Sequence, residues 1–322
     1  MSATLRGANA RFGNLLTAMA TPLHSDGSID FAGAQTLAKW LIAEGNDALV
    51  INGTTGESPT TSDDEKLDLL DAIIEAIGAD KVVAGAGGND TRHIAKLAAA
   101  SAAKGVVGIL SVAPYYNKPC QEGIYRHFRA VADAAAIPVL LYNVPGRTIA
   151  NIDAATTERI ALDQENVIGT KEASGNMMQV ADIVARTPDS FDVYSGDDGT
   201  LLPHLAVGGC GIISVISHVA TPQMKDVCTK WFAGDAAGAR EAFLPTLGIT
   251  RMIFAQPSPA PTKAALSLLG KPAGPVRLPL VEAGTRAPVI SSAPQGVQHA
   301  THRNPDSRCV SRNLCVRAGR CP

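Results

Sequence analysis

Residues 139–148 read VLLYNVPGRT, and residues 167–176 read VIGTKEASGN. Each opens on a short apolar run and closes in a polar loop that contains glycine. An apolar run without polar alternation suits a strand buried on both faces, as in a parallel sheet. Working outward from this pair, the same unit recurs at 15–20, 48–51, 82–84, 106–112, 191–194 and 211–215. Segments of helical spacing lie between. Phe31, Ala34, Leu37, Ala38, Leu41 and Ile42 fall on one helix face. A second helix opens with Ser62 and Glu65 at capping-box spacing, with Asp63 and Asp64 in its first turn. Leu67, Leu70, Ile74 and Ile77 are expected to form its buried stripe.

Strict alternation of strand and helix implies an all-parallel sheet with right-handed crossovers. Eight such units predict an α/β fold, a closed (β/α)8 barrel over 12–217. No GxGxxG follows the first strand, which speaks against a dinucleotide-binding sheet. After Ser217 the strand signals stop, and 218–282 reads as a helical region appended to the barrel. The stretch 283–322 is atypical. From Gly284 onward it carries six arginines, one acid (Asp306) and no apolar helix face. It reads as a disordered tail or as translation in an altered frame. His299, His302, Cys309, Cys315 and Cys321 lie there, but the five-residue gaps between the cysteines match no zinc knuckle.

Composition narrows the function classes. The chain has 322 residues, a formal net charge of −2 and 18% charged residues. That balance gives no basis for a nucleic-acid or membrane-surface role, and no apolar run reaches the length of a membrane helix. Arg6 and Arg11 near the start are not followed by the apolar stretch of a secretory signal. Cys120, Cys210 and Cys228 have no metal-ligand spacing and read as unreactive thiols of a reduced, cytoplasmic protein.

In a barrel of this kind, reactive groups stand where strands end. The polar outliers fall there: 53–58 (GTTGES), 114–117 (PYYN), 142–148 (YNVPGRT), 169–176 (GTKEASGN) and 195–198 (SGDD). Lys171 emerges from a strand expected to be buried. An ammonium there is costly to desolvate, and the neutral amine is the form that attacks a ketone. The bland alternative is a structural lysine paired with Glu172 or Asp197. Tyr142 closes the neighbouring strand, where its hydroxyl can move protons to and from a carbinolamine. Thr54 and Thr55 sit in a glycine-flanked loop whose amides can hold a carboxylate. Arg147 suits a bidentate clamp on a second carboxylate. Asp197 and Asp198 are adjacent, so they point apart; a loop cap and a helix N-terminal acid fit better than a metal pair.

Together, in this order and spacing, the five strings resemble the dihydrodipicolinate synthase family, also called 4-hydroxy-tetrahydrodipicolinate synthase, over about residues 12–282. The resemblance implies a lyase in which Lys171 forms an imine with pyruvate. Tyr142 then relays protons, with Thr54 linking it to Tyr116, which in the family reaches in from a neighbouring subunit. Thr55 matches the residue that holds the pyruvate carboxylate, and Arg147 the one that receives the carboxylate of L-aspartate-4-semialdehyde. Gly196 and Ile213 match backbone positions lining the site. No metal or organic cofactor is implied, because the lysine supplies the electron sink. The implied product is 4-hydroxy-tetrahydrodipicolinate, the committed step toward diaminopimelate and lysine. The implied assembly is a homo-oligomer, a dimer or dimer of dimers (homotetramer). Sialic-acid and sugar-acid lyases share the lysine and tyrosine, but Thr54-Thr55 and Arg147 favour the synthase; a non-catalytic barrel is a third class. Many bacterial synthases bind lysine as a feedback inhibitor, and Ser58, Asn89 and Tyr115 match that site. Sensitive members have an acid where this chain has His93, and histidines where it has Asp63 and Lys66. Lysine inhibition is therefore expected to be weak or absent, unless Asp63 supplies the charge in a rewired site.

Overall fold

A computed structural model describes residues 5–284. The expectations placed on His299, His302, Cys309, Cys315 and Cys321 lie outside the described residues. Eight parallel strands close into a barrel: β1 Leu15–Ala18, β2 Ala48–Ile51, β3 Val82–Gly85, β4 Gly108–Val112, β5 Val139–Asn143, β6 Val167–Glu172, β7 Asp192–Ser195 and β8 Gly211–Ser214. Closure comes from β8 lying beside β1, with Leu16 opposite Ile213. The strands are those predicted, shifted by a residue or two at their ends. β6 runs two residues further than expected and so includes Lys171 and Glu172 themselves.

The helices are α1 Phe31–Ala43, α2 Asp63–Ile77, α3 Thr91–Ala103, α4 Gln121–Ala135, the single turn α5 Pro145–Thr148, α6 Ala154–Asp163, α7 Met177–Arg186, α8 Leu201–Ala206, α9 Ser217–Phe232, α10 Ala236–Ile253 and α11 Ala260–Leu268. Along each strand alternate side chains serve two layers. Leu16, Val50, Val83, Leu110, Leu140, Tyr142, Tyr194 and Ile213 fill the barrel interior. Leu49, Ile51, Val82, Ile109, Val139 and Leu141 face outward against Leu37, Leu41, Leu70, Ile73 and Phe128 of the helices. Truncating one of these, such as Ile73, to alanine costs about 2–5 kcal/mol.

The capping box of α2 is complete, with Ser62 Oγ accepting from the Glu65 amide and Glu65 accepting from the Ser62 amide. Its buried face is Lys66, Leu69, Leu70 and Ile73, rotated from the expected stripe. The run LDLLDAII offers apolar residues around more than half the helix. The wedge between α1 and the barrel selects Leu69 and Ile73, leaving Leu67, Ile74 and Ile77 only partly buried. In α9 the helical path breaks at Ala220 (φ −143°), two residues before Pro222, whose ring has no amide to continue the ladder.

Asp197 and Asp198 do diverge. Asp197 caps the following turn through the Gly199 amide. Asp198 opens the 3-10 turn Asp198–Thr200 as a helix N-terminal acid, and its buried carboxylate also accepts from Ser214 Oγ and from the amides of Val215 and Ile216. It ties the β7 loop to the end of β8, and burial pushes its carboxyl above the ordinary range.

Candidate active site

β5 and β6 are paired so that Tyr142 stands directly opposite Lys171. In-register residues of parallel neighbours point to the same face, so both side chains rise into the barrel mouth. Lys171 is 4% exposed, and its Nζ lies 4.5 Å from the centre of the Tyr142 ring. The structural alternative for this lysine fails on geometry. Glu172 points to the other face of β6, where it accepts from Asn143 Nδ2, the Ser174 amide and Gln179 Nε2. Asp197 is occupied by Gly199. Among the described residues no carboxylate comes within 4 Å of Lys171 Nζ.

The room for Lys171 is made by Gly196. A Cβ added there would stand 2.6 Å from Ala173 Cβ and 3.0 Å from Lys171 Cε. Only a hydrogen leaves the lysine its path across the end of β7. The result is a cavity of about 540 Å³ whose wall includes Thr54, Thr55, Tyr142, Arg147, Lys171 and Gly196. The Gly56 and Glu57 amides bond back to Gly53 O and Thr54 O, whereas the amides of Thr54 and Thr55 donate to no protein acceptor among the described residues. They are thus available to an anion. Arg147 is exposed at the rim and makes no ion pair among the described residues. An amine, an adjacent phenol, and two amides and a guanidinium unpaired among the described residues converge on one space, which suits imine chemistry on a ketone substrate that bears a carboxylate.

The Dihydrodipicolinate synthetase family matches residues 11–288 of the sequence. The chain belongs to this family. Its similarity to the 4-hydroxy-tetrahydrodipicolinate synthase of Symbiobacterium thermophilum is 51% identity, over 84% of this chain and 93% of that protein. To the enzyme of the same name from Bacillus subtilis it is 46% identical, over 84% and 93%. Among solved structures, dihydrodipicolinate synthase from Cyanidioschyzon merolae with lysine bound superposes with a TM-score of 0.84 at 40% identity, covering 86% of this chain and 95% of that one. A dihydrodipicolinate synthase from Bacillus anthracis gives 0.83 at 42% identity, covering 86% and 94%.

Two of the expected site residues do not line this chain's own cavity, and one of them, Tyr116, is expected to act in a neighbouring copy. Tyr116 is 88% exposed, in a left-handed backbone conformation (φ +73°), and does not line the cavity. Ile213, expected to contribute only backbone, is fully buried in the barrel interior with Tyr142 and Val50. No hydrogen bond joins Tyr142 to Thr54, so the hydroxyl chain is not preformed within one chain. The C-terminal helices add residues that the motifs did not flag: Thr250, Arg251, Phe254 and Ser258 close the cavity from α10 and the loop after it. They lie in no recognisable string, and only the packing of α10 over the barrel mouth brings them there.

A second cavity of about 560 Å³ adjoins the first through Gly53, Thr54, Leu110, Tyr142, Val144 and Arg147. Ser58, Asn89, His93 and Tyr115 all line it, with Asp63 and Lys66. His93 Nε2 lies 2.6 Å from Asp63 Oδ2, and Lys66 Nζ 3.6 Å from Asp63 Oδ1. Burial opposes ionisation of Asp63, but the hydrogen bond to His93 and the charges of His93 and Lys66 outweigh it and hold the carboxyl below its ordinary range.

Proposed function

We propose that this chain is a Schiff-base lyase that condenses pyruvate with L-aspartate-4-semialdehyde to 4-hydroxy-tetrahydrodipicolinate. The supporting observation is the buried, unpaired Lys171 beside Tyr142, in a chain that shares its family with proteins named for that reaction. The pyruvate carboxylate sits on the Thr54 and Thr55 amides, and Lys171 Nζ attacks its ketone, with release of water. The imine draws electrons from C3; loss of a C3 proton gives the enamine, with Tyr142 carrying protons to and from the reacting oxygens. C3 then bonds to the aldehyde carbon of the second substrate, whose carboxylate rests on Arg147. The substrate's own amine attacks the imine carbon, closes the ring and expels Lys171. One water is lost overall.

Tyr116 is displayed on the surface, its amide donating to Thr148 O, and serves the site of a neighbouring copy, so the working unit is at least a dimer. No helix among the described residues is long and apolar enough to cross a membrane, and a cytoplasmic location accompanies the biosynthetic role.

The test is mass spectrometry after borohydride treatment with pyruvate. A pyruvate-sized adduct on Lys171, depleted when the semialdehyde permits turnover, is the expected result. An adduct that the semialdehyde leaves untouched points to another acceptor, as in the sugar-acid lyases. No adduct removes the proposal.

A further inference from the structure

The loop that carries Thr54 and Thr55 continues into Glu57, which lines neither cavity. Its backbone is left-handed (φ +59°), a conformation that glycine or asparagine adopts more readily than glutamate. That twist turns the side chain out of the barrel mouth toward the C-terminal helices. There Glu57 Oε1 lies 2.5 Å from Lys263 Nζ on α11, and Oε2 accepts the Arg277 amide at 2.8 Å. The two ionic side chains are 2% and 3% exposed. Lys263 Nζ also donates to Pro275 O. Arg277 extends the contact, its guanidinium donating to Gly27 O, Thr60 O and both oxygens of Glu65.

Resting on the function proposed above, we infer that Glu57 and Lys263 are positioning residues. Their buried ion pair clamps the Thr54–Thr55 loop to α11 and thereby holds the pyruvate-carboxylate site in register with Lys171. The loop's own bonds fix its shape: the amides of Glu57 and Ser58 reach back to Thr54 O and Gly53 O, and Thr21 Oγ1 donates to Gly56 O. They do not fix where the turn stands relative to Lys171 across the barrel. The clamp does, because α11 packs on α9 and α10, and α10 forms the opposite wall of the same cavity. A buried pair is a poor general stabiliser, since two apolar residues fill the space as well. Its use at this place is orientation: an ion pair fixes both the direction and the distance of the loop, and a small displacement near reacting atoms is costly in rate.

The double variant E57Q/K263M tests this, because it leaves no lone buried charge and so preserves folding. With the full-length protein, pyruvate KM and the rate of borohydride-trapped imine formation are measured beside the thermal midpoint. The expected result is a pyruvate KM raised about tenfold or more and slowed trapping, with the KM for the semialdehyde within about twofold of wild type. Lys263→Arg, which keeps the charge, recovers most of the loss. Ile183→Val, a truncation in α7 on the far side of the barrel, lowers the midpoint without moving KM. A folded double variant with wild-type pyruvate KM and trapping rate overturns the clamp. So does a uniform loss that merely follows the thermal midpoint, since that marks a structural pair only. Failure of the wild-type protein to trap pyruvate at all overturns the aldolase reading and this inference with it.

Discussion

Lys171 and Tyr142 meet across the β5–β6 pair, the amine nitrogen 4.5 Å from the centre of the phenol ring. The ring packs against the amine's flank, so the hydroxyl, not the ring edge, is left to act in proton transfer. Tyr142→Phe keeps that packing and removes the hydroxyl. It is expected to lower kcat by roughly 10²- to 10⁴-fold, the range for a general acid–base group, and still to form a pyruvate adduct on long incubation. Loss of the adduct altogether would assign Tyr142 a structural role in place of a chemical one.

Gly196 bears on the same lysine from β7's end. Gly196→Ala introduces a methyl 3.0 Å from Lys171 Cε and 2.6 Å from Ala173 Cβ. The lysine must swing aside, so imine trapping is expected to slow by about tenfold or more. The thermal midpoint should fall as well, because Ala173 Cβ is fixed to its backbone and cannot swing aside, an overpacking cost of about 1–3 kcal/mol. Unaltered trapping kinetics would show that Lys171 reaches pyruvate by another path.

The barrel was legible in the sequence because each buried strand is an uninterrupted apolar run, and because the polar residue that ends it stands out. Lys171 and Tyr142 were legible for that reason. What could not be read was anything set by packing between distant segments. The face of α2 turned by a position because its sequence offers apolar residues on two sides. The role of Asp198 depends on Ser214 and the amides after it, and nothing local marks those partners. Arg251 and Phe254 reach the cavity through the tilt of α10. Glu57 was visible in GTTGES, but its partner Lys263 lies about two hundred residues away in a helix with no distinguishing string.

Buried imidazoles give the fold an acid dependence. The Ala20 amide donates to His218 Nε2, which leaves Nδ1 to donate to Val215 O; the neutral ring thus joins the end of β1 to that of β8. Burial lowers the His218 pKa from 6.5 to about 4, and His204 and His127 likewise. Above pH 6.5 neither the folded nor the unfolded chain protonates them, and their stability contribution is complete. Between pH 6.5 and about 4 the unfolded chain binds protons that the folded chain refuses, so stability falls as pH falls, by about 1.4 kcal/mol per pH unit for each ring. The raised carboxyls of Asp198 and Asp192 act in the opposite sense at the acidic end. Denaturant midpoints for wild type and His218→Gln from pH 7.5 to 4.5 isolate one ring. The variant is expected to be less stable throughout but to lose less on acidification. Parallel curves would exclude His218 as a titrating group in that range.

The second cavity gathers the residues matched to a lysine-effector site, Ser58, Asn89, His93 and Tyr115. A free lysine entering it brings an ammonium that needs a carboxylate. Asp63, the acid on that wall, is already engaged by His93 and Lys66, and Lys66 is held in place by Thr61 O at 2.8 Å. The entering ammonium would have to displace an intramolecular partner while facing the Lys66 charge, so binding loses the charge-assisted bond that would drive it, a cost of about 1.5–3 kcal/mol or roughly 10- to 100-fold in affinity. Initial rates are therefore expected to be insensitive to lysine up to millimolar concentrations. Sub-millimolar inhibition would instead mean that Asp63 exchanges its partners for the ligand. The paired substitution His93→Glu with Lys66→His separates the two cases. It removes the competing cation and adds a carboxylate on the α3 side of the cavity, so lysine inhibition should appear where wild type has none. If the double variant stays insensitive while its pyruvate and semialdehyde kinetics are unchanged, the charge argument for this cavity is wrong.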